Sequence, residues 1–367
     1  MKDNFQSMKA VIISGQNDII CSRVPVPEML DDDVLVAVKS VGLCKTDIEV
    51  LEGTHPSTRK IFSKKNKKFH LIPGHEWSGI VYKIGKNCQG FAPGDHVIGE
   101  TTINCGYCHY CQNGMPNLCE NVQEIGINRN GAMAEYLSVP YKFLHKIPDG
   151  MSFEDAAIIE PTAVAVHAIN RLLTEIPTTK VDDLTVVIFG DGPIALLCLQ
   201  VLRSKKPAKI IIIGKSLKKL DIAKKLDCDL IINTSGLSEK KSVAYIKKEL
   251  KGFKIDVIID ATSNFAFKDS AIVEGLNIVQ KGGIILLIGM HKPKKIAINN
   301  IVLNELKIIG TVSSPGTWGE AIRLLENKEI NTQALITDKI SLNEVPMLIK
   351  RIDTQPDEII KAIIQIS

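Results

Sequence analysis

Short apolar runs separated by helix-length segments dominate the chain from about residue 155 onwards. The runs are rich in β-branched residues, and apolar residues recur at helical spacing in the segments between them. In chain order the runs are "LTVVIFG", "KIIIIG", "DLIIN", "IDVIID" and "GGIILLIG". Strands that are apolar along their whole length are typical of a parallel sheet covered by helices on both faces. The sequence therefore predicts an α/β domain over residues 156–304.

The first of these runs leads directly into "GDGPIA" and then into a helical pattern. This places Gly190, Gly192, Pro193, Ile194 and Ala195 between a strand and a helix. In a G-x-G-x-x-A loop the first glycine makes the tight turn and the second lets the backbone approach a pyrophosphate, which faces the helix N-terminus. An ordinary glycine turn is the alternative. The strand–turn–helix setting favours a Rossmann dinucleotide site.

The end of the second apolar run bears on the choice of cofactor. NAD-binding chains carry an acid there, which holds the ribose 2′-hydroxyl. Here the run ends in Gly214, Lys215 and Ser216, and Lys218 and Lys219 follow. A glycine leaves room for a 2′-phosphate and lysine attracts it, so the sequence favours NADP(H) over NAD(H). The alternative is that these lysines are the solvent-facing side of a helix.

The first 155 residues have a different pattern. Alternating or β-branched runs such as "VLVAVKSV" and "SGIVYKIG" are interrupted often by glycine and proline, which predicts an irregular β domain. Residues 58–70 form a basic segment that is either a solvated surface loop or an attractor of an anionic substrate or cofactor. The last fifty residues show helix and strand patterns but no residue with an assignable chemical role.

The bulk properties exclude several classes of protein. A net charge of +4 over 367 residues is too small to indicate nucleic-acid binding. No run of about twenty apolar residues predicts a membrane span, and no signal-peptide pattern is present. We therefore expect a cytoplasmic protein with reduced thiols, no nucleic-acid partner and no membrane partner.

Four of the nine cysteines lie close together in "INCGYCHYCQNGMPNLCE". They are Cys105, Cys108, Cys111 and Cys119. Four thiolates at this spacing can surround one zinc ion and leave no open position, which is typical of a structural site. The spacing also overlaps that of iron–sulfur sites, and unligated thiols are a third alternative.

A second set of metal-binding side chains is spread over three segments. "GLCKTD" contains Cys44, "PGHEWSG" contains His75 and Glu76, and "IIEPTAVAVHA" contains Glu160. Sulfur, imidazole and carboxylate together suit zinc with one position left open. Any one of these residues alone is weak evidence for a metal site, because a lone cysteine, for example, is more often a buried apolar residue.

Taken together, these motifs resemble the zinc-dependent medium-chain dehydrogenase/reductase superfamily near its sorbitol (polyol) and threonine dehydrogenase branches. The resemblance covers essentially the whole chain. It implies a GroES-like zinc domain of residues 1–155 and 305–367, a Rossmann domain of residues 156–304, and a homodimer or homotetramer. The motifs that carry it are "GLCKTDIEVLEG", "IPGHEWSGIVYKIG", "APGDHVIGE", the four-cysteine segment, "GINRNGAMAEYL", "EPTAVAVHA", "GDGPIA" and "KGGIILLIG".

The resemblance also implies two zinc ions per chain. The catalytic ion would be held by Cys44, His75 and Glu160, with Glu76 beside it, and the structural ion by the four clustered cysteines. The Glu160–Pro161 pair is similar to the polyol dehydrogenase form, whereas threonine dehydrogenases tend to have aspartate at the first position. In such enzymes zinc lowers the pKa of an alcohol oxygen and the nicotinamide accepts hydride.

Three further residues near Cys44 have predicted roles. Thr46 carries a hydroxyl that can pass the alcohol proton outward, although a turn-capping role is the alternative. Glu49 stands near the place where the family often continues this relay with a histidine. Lys45 either reaches a cofactor phosphate or is simply exposed.

The sequence thus predicts an enzyme that interconverts a secondary alcohol and its ketone with NAD(P)(H), the alcohol being a polyol, sugar alcohol, cyclitol or amino alcohol. L-Threonine 3-dehydrogenase and a polyol-phosphate dehydrogenase are the enzymatic alternatives. A catalytically silent regulatory protein that binds zinc and nucleotide is the alternative outside the enzymes.

Overall fold

The computed structural model describes residues 6–58, 70–207, 209–262, 274–290 and 296–367. The chain divides into two compact units. The first unit comprises Met1–Glu160, Trp318–Glu326 and Ile336–Ser367, and the second comprises Pro161–Thr317 and Asn327–Leu335. Most of the basic segment 58–70 lies outside the described residues.

The strands and helices follow one another in this order along the chain. The strands are β1 Ser7–Gly15, β2 Asp18–Pro25, β3 Asp33–Gly42, β4 Glu76–Ile84, β5 His96–Gly99, β6 Thr102–Ile103, β7 Gln123–Glu124, β8 Tyr136–Pro140, β9 Leu144–Lys146, β10 Thr185–Phe189, β11 Lys209–Gly214, β12 Leu230–Asn233, β13 Ile255–Asp260, β14 Val279–Leu287, β15 Lys307–Gly310, β16 Ile336–Ser341 and β17 Lys361–Gln365. The α-helices are α1 Lys45–Leu51, α2 His109–Gln112, α3 Phe153–Ala157, α4 Ile159–Leu173, α5 Pro193–Ser204, α6 Leu217–Lys225, α7 Glu239–Glu249, α8 Ile298–Leu303, α9 Trp318–Glu326 and α10 Val345–Thr354. Short 3₁₀ helices lie at Pro116–Leu118, Tyr141–Phe143, Thr178–Asp183 and Leu342–Glu344.

The first unit is built on a seven-stranded sheet in the order β16-β17-β3-β4-β5-β9, with β8 also paired to β3. Apart from the parallel β16–β17 pair, its neighbours are antiparallel. Trp77 on β4 is buried in the core of this unit. The register matters for function, because Gly42 at the end of β3 pairs with Glu76 at the start of β4. The segments that follow β3 and precede β4 therefore meet.

The second unit contains a six-stranded sheet in the order β12-β11-β10-β13-β14-β15. Every neighbouring pair in it is parallel. Relative to the first strand of the unit this is the order 3-2-1-4-5-6 of a doubly wound dinucleotide-binding sheet, whose topology reverses between β10 and β13. Residues 210–213 of β11 are all buried, as the continuous apolar run requires. The predicted α/β class with a Rossmann sheet is confirmed.

The second unit extends beyond the predicted boundary at residue 304. β15, at Lys307–Gly310, completes the parallel sheet by pairing with β14, from Ile284↔Lys307 to Leu287↔Gly310. This strand was not predicted, because "LKIIGTV" is short and carries no motif. None of the helices in the described part of the chain has the length and apolar character needed to cross a membrane.

Candidate active site

Three of the predicted metal-binding side chains converge in the first unit. The ligand atoms of Cys44, His75 and Glu76 all lie within 4.8 Å of one another. Cys44 immediately precedes α1, and the Gly42–Glu76 register brings it beside the start of β4. A Cβ on Gly42 would lie 2.2 Å from Oε2 of Glu76, so only glycine leaves room for this carboxylate. The donor set of sulfur, imidazole and carboxylate fits zinc.

Asp47 joins two of these segments, although it was not among the predicted site residues. Its carboxylate is buried and accepts hydrogen bonds from the backbone N–H of Cys44 at 2.9 Å and of Gly74 at 2.9 Å. One of its oxygens also lies 3.5 Å from Nδ1 of His75. The only sequence signal was its position three residues after Cys44, where an N-terminal helix acid forms a capping box.

The electrostatic surroundings of His75 favour a cation. Burial alone would lower the pKa of His75, but the charge of Asp47 and then that of Cys44 hold it well above its ordinary value. The same negative groups that attract a proton to this imidazole would attract a metal ion.

Glu76 forms a buried ion pair with Lys361, a residue of β17. Nζ of Lys361 lies 2.8 Å from Oε1 and 2.6 Å from Oε2 of Glu76, and it also donates to the carbonyl oxygen of Leu43 at 3.2 Å. Burial would lower the pKa of Lys361, but the carboxylate of Glu76 raises it. The expectation that the last fifty residues carry no chemical role was therefore wrong. β17 pairs with β3, and this pairing places the ammonium group of Lys361 beside Glu76.

Glu160 lies outside the group of three. It belongs to the first turn of α4, is buried, and accepts a hydrogen bond from Oγ1 of Thr101 at 3.0 Å. Burial, and next the negative charge of Glu76, raise its pKa to about 7, while His75 opposes this shift. Glu160 is thus coupled to the site, but its predicted role as a ligand remains a prediction.

The proposed relay residues lie on α1. Thr46 is half-buried in the first turn, and Glu49 follows three residues later on the same helix. Burial raises the pKa of Glu49, with Lys45 opposing the shift. His55, for which no role was predicted, is buried. Burial is the main cause of its lowered pKa, and the nearby charge of His75 is a smaller cause.

The four clustered cysteines also converge in the first unit. Their sulfur atoms all lie within 4.8 Å of one another, and all nine cysteines of the chain are free thiols. Sγ of Cys108 lies 3.5 Å from that of Cys111 and 3.9 Å from that of Cys119, and Sγ of Cys105 lies 4.0 Å from that of Cys111. Four sulfurs about 2.3 Å from one zinc ion would lie about 3.8 Å apart in a tetrahedron. The spacing therefore fits a closed zinc site.

Backbone N–H groups favour the thiolate of Cys105, whereas burial and the neighbouring thiol of Cys108 raise the pKa of Cys111 to about 12. Burial would raise the pKa of Cys105, but the N–H groups of Tyr107 and Cys108 lower it to about 6. Cys119 accepts hydrogen bonds from the N–H groups of Cys105 and Asn121, both at 3.3 Å. Thiolates are the form that binds metal.

The glycine loop of the second unit has the geometry that the sequence predicts. Gly190 has a φ of +118°, and a Cβ there would lie 2.9 Å from the carbonyl oxygen of Ala261. Gly192 caps α5, whose first residue is Pro193, and a Cβ on Gly192 would meet no heavy atom within 4 Å. The N-terminus of α5, which begins with Pro193 and Ile194, therefore has open space for a dinucleotide pyrophosphate.

A residue of this loop also reaches the end of β11. Oδ2 of Asp191 accepts hydrogen bonds from the backbone N–H groups of Lys215 and Ser216, both at 2.8 Å. The hydroxyl of Ser216 is buried and has no hydrogen-bond partner in the described part of the chain. Lys219 is half-buried on α6. The open loop and the unpartnered hydroxyl fit a bound dinucleotide.

Comparison with known proteins identifies both halves of the chain. Residues 30–149 match the family model "Alcohol dehydrogenase GroES-like domain", and residues 193–327 match "Zinc-binding dehydrogenase". D-Arabitol-phosphate dehydrogenase of Enterococcus avium is 34% identical over 90% of this chain and 89% of that protein. Sorbitol dehydrogenase of Bacillus subtilis is 29% identical over 98% of this chain and 97% of that protein.

A solved structure supports the same relationship. A zinc-binding dehydrogenase from Sinorhizobium meliloti, determined with NADP bound, is 28% identical and superposes with a TM-score of 0.83. The match covers 98% of this chain and 99% of that one.

Proposed function

The chain belongs to the zinc-binding alcohol dehydrogenase family with a GroES-like domain, and we propose that it interconverts a secondary hydroxyl of a polyol-type substrate and the corresponding ketone. A nicotinamide cofactor exchanges the hydride. The observation that carries the proposal is the convergence of Cys44, His75 and Glu76 within 4.8 Å. The names of the two sequence relatives, a pentitol-phosphate and a hexitol dehydrogenase, support a polyol over threonine or a purely regulatory role.

The three converging side chains would hold the catalytic zinc ion, and Glu160 is the further carboxylate proposed for it. When bound, zinc supplies Lewis acidity towards a hydroxyl or carbonyl oxygen. Asp47 positions Cys44 and the residue before His75 through the hydrogen bonds from the N–H groups of Cys44 and Gly74, and its carboxylate lies 3.5 Å from Nδ1 of His75. Lys361 balances the charge of Glu76 in a buried setting, where an unpaired carboxylate would be costly.

The proton of the alcohol requires a path to solvent. We assign its first step to the hydroxyl of Thr46 and the next to the carboxylate of Glu49, one helical turn further along α1. Glu49 has a raised pKa, which suits a group that takes up and releases a proton.

Cys105, Cys108, Cys111 and Cys119 would hold a second zinc ion. This site would be structural, because four sulfur ligands leave no position for a substrate. The chain would then carry two zinc ions.

The cofactor lies, in this proposal, against Gly190, Gly192 and the N-terminus of α5. Lys215, Lys218 and Lys219 support the preference for NADP(H) predicted from the sequence. That prediction assumed that no carboxylate lies at the end of β11, and the position of Asp191 argues against this assumption. Lys45 remains a candidate for a contact with a cofactor phosphate.

A homodimer is the assembly that the second unit supports best. β15 is the last strand in the sheet order, and apolar side chains near it are exposed. Val312 is 54% exposed, and Val302 and Leu303 of α8 are 69% and 76% exposed. A sheet edge with no partner strand among the described residues, beside apolar side chains, favours pairing with a second copy. Light scattering coupled to size exclusion would measure the mass of the assembly.

The function is tested by following absorbance near 340 nm in zinc-loaded protein with NAD⁺ or NADP⁺. The panel comprises pentitols, hexitols, their phosphates, a cyclitol and threonine. We expect turnover with at least one polyol or polyol phosphate. Turnover with threonine alone would contradict the polyol assignment, and no turnover with any substrate would favour a catalytically silent zinc and nucleotide binder.

A further inference from the structure

The end of β11 carries a carboxylate that does not come from β11. Gly214 occupies the place where dinucleotide sheets that bind NAD carry an acid, which accepts a hydrogen bond from the ribose 2′-hydroxyl. In this chain the carboxylate of Asp191 lies at that point. A Cβ on Gly214 would lie 2.6 Å from Oδ2, 2.8 Å from Cβ and 3.0 Å from Cγ of Asp191. The side chain of Asp191 thus fills the space that a side chain at residue 214 would need.

Several contacts fix this arrangement. The N–H of Gly190 donates to the carbonyl oxygen of Ile213 at 2.8 Å, which ties the glycine loop to β11. The carbonyl oxygen of Gly214 accepts from the N–H of Thr234 at 2.9 Å and from its hydroxyl at 3.2 Å. The loop and the strand end are therefore held together from both sides, and Asp191 is aligned by its two bonds to the N–H groups of Lys215 and Ser216.

These bonds leave part of the carboxylate available. Both use Oδ2, so Oδ1 can still accept a hydrogen bond, and the residue is only half-buried. A ribose 2′-hydroxyl is a donor that a carboxylate accepts well. A 2′-phosphate offers no such donor at neutral pH, and its negative charge is repelled by the carboxylate.

We infer that Asp191 is the residue that discriminates between the two nicotinamide cofactors, and that it directs the chain towards NAD(H). The inference rests on the proposed use of a dinucleotide. NADP(H) was predicted because β11 itself carries no acid at its end. The glycine found there, Gly214, makes room for the side chain of Asp191. The positive charges of the lysines that follow, Lys215, Lys218 and Lys219, would attract a 2′-phosphate. They would therefore reduce, but not reverse, the preference for NAD(H) that the carboxylate of Asp191 produces.

The test is a pair of dissociation constants, for NADH and NADPH, measured by fluorescence titration of the full-length zinc-loaded protein. We expect NADH to bind at least about tenfold more tightly than NADPH, the effect of one unit charge near a phosphate at a partly exposed site. Asp191→Asn keeps an oxygen for the two backbone N–H groups and removes the charge. It should reduce the NADH preference by about tenfold or more.

Three further variants separate an effect on cofactor discrimination from an effect on the fold. Asp221→Asn removes an exposed acid of α6, which lies in the same unit, and should leave the ratio of the two constants unchanged. Asp191→Gly combined with Gly214→Asp returns the carboxylate to β11 and should recover NADH preference relative to Asp191→Gly alone.

The outcomes distinguish this inference from the function on which it rests. A wild-type preference for NADPH, or an Asp191→Asn variant in which both constants change by the same factor, would overturn the inference while cofactor use stands. If neither cofactor binds, the proposed use of a nicotinamide cofactor fails and the inference fails with it.

Discussion

Lys361 and Glu76 form a buried ion pair in which Nζ lies 2.6 Å and 2.8 Å from the two carboxylate oxygens. The two residues are separated by 285 positions in the chain and are brought together because β17 and β4 both pair with β3. This pair fixes the position of one proposed metal-binding carboxylate.

We predict that Lys361→Met destabilises the protein by about 3–5 kcal/mol, because it leaves the carboxylate of Glu76 buried without a counter-charge. Urea denaturation measures the change. Lys339→Met is the matched control, since Lys339 lies on the neighbouring strand β16 and forms only a half-exposed 3.5 Å pair with Glu154. Lys339→Met should lower the free energy of unfolding by less than about 1 kcal/mol. Equal effects of the two substitutions would contradict a special role for Lys361.

Asp47→Asn should weaken zinc binding about 10- to 100-fold, because an amide cannot accept from both Cys44 and Gly74 as the carboxylate does. Competition with a chelator measures the affinity. Asp33→Asn is the control: Asp33, at the start of β3, is as buried as Asp47, but its carboxylate accepts hydrogen bonds from Ser138 and Leu30. If Asp33→Asn lowered the zinc affinity as much, the effect would be one of fold rather than of ligand orientation.

Cys108→Ser should remove one zinc ion per chain and lower the thermal midpoint, because the closed four-sulfur site loses a ligand. Cys88→Ser is the control, since Cys88 lies outside the cluster and contacts backbone carbonyl oxygens of Asp31 and Asp33. Unchanged zinc content and midpoint in Cys108→Ser would refute a structural zinc site there.

The carboxyl group of Glu160 makes a pH-dependent contribution to the stability of zinc-free protein. Its pKa is raised from an ordinary value of 4.5 to about 7, chiefly by burial. Between these two values the folded chain retains a proton that the unfolded chain releases, so this group makes stability fall as pH rises from about 4.5 to about 7. Glu160→Gln should flatten this part of a plot of thermal midpoint against pH. An unchanged slope would show that the carboxyl group is not buried in its acid form.

The parts of the site that could be predicted from sequence are those that depend on residues close together in the chain. The turn at Gly190 and Gly192 follows from residues between a strand and a helix, and the cysteine cluster follows from spacing within residues 105–119. The parallel sheet follows from the apolar runs, except for β15, which is short and partly exposed.

The residues that sequence analysis missed depend on register and on contacts between distant segments. Lys361 reaches Glu76 because β17 pairs with β3. Asp191 reaches β11 because Gly214 leaves a space for its side chain. Neither contact leaves a local pattern in the sequence. Lys361 cannot be told from any other lysine in a strand, and Asp191 cannot be told from any other aspartate in a turn.

The proposed catalytic zinc site is tested by measuring zinc content and polyol turnover together in wild-type protein and in Cys44→Ala. We predict two zinc ions per wild-type chain, and for Cys44→Ala one zinc ion, an unchanged circular dichroism spectrum and no turnover. Full turnover by Cys44→Ala, or turnover in wild-type protein from which only the zinc held by Cys44, His75 and Glu76 has been removed, would contradict a catalytic role for zinc at this site.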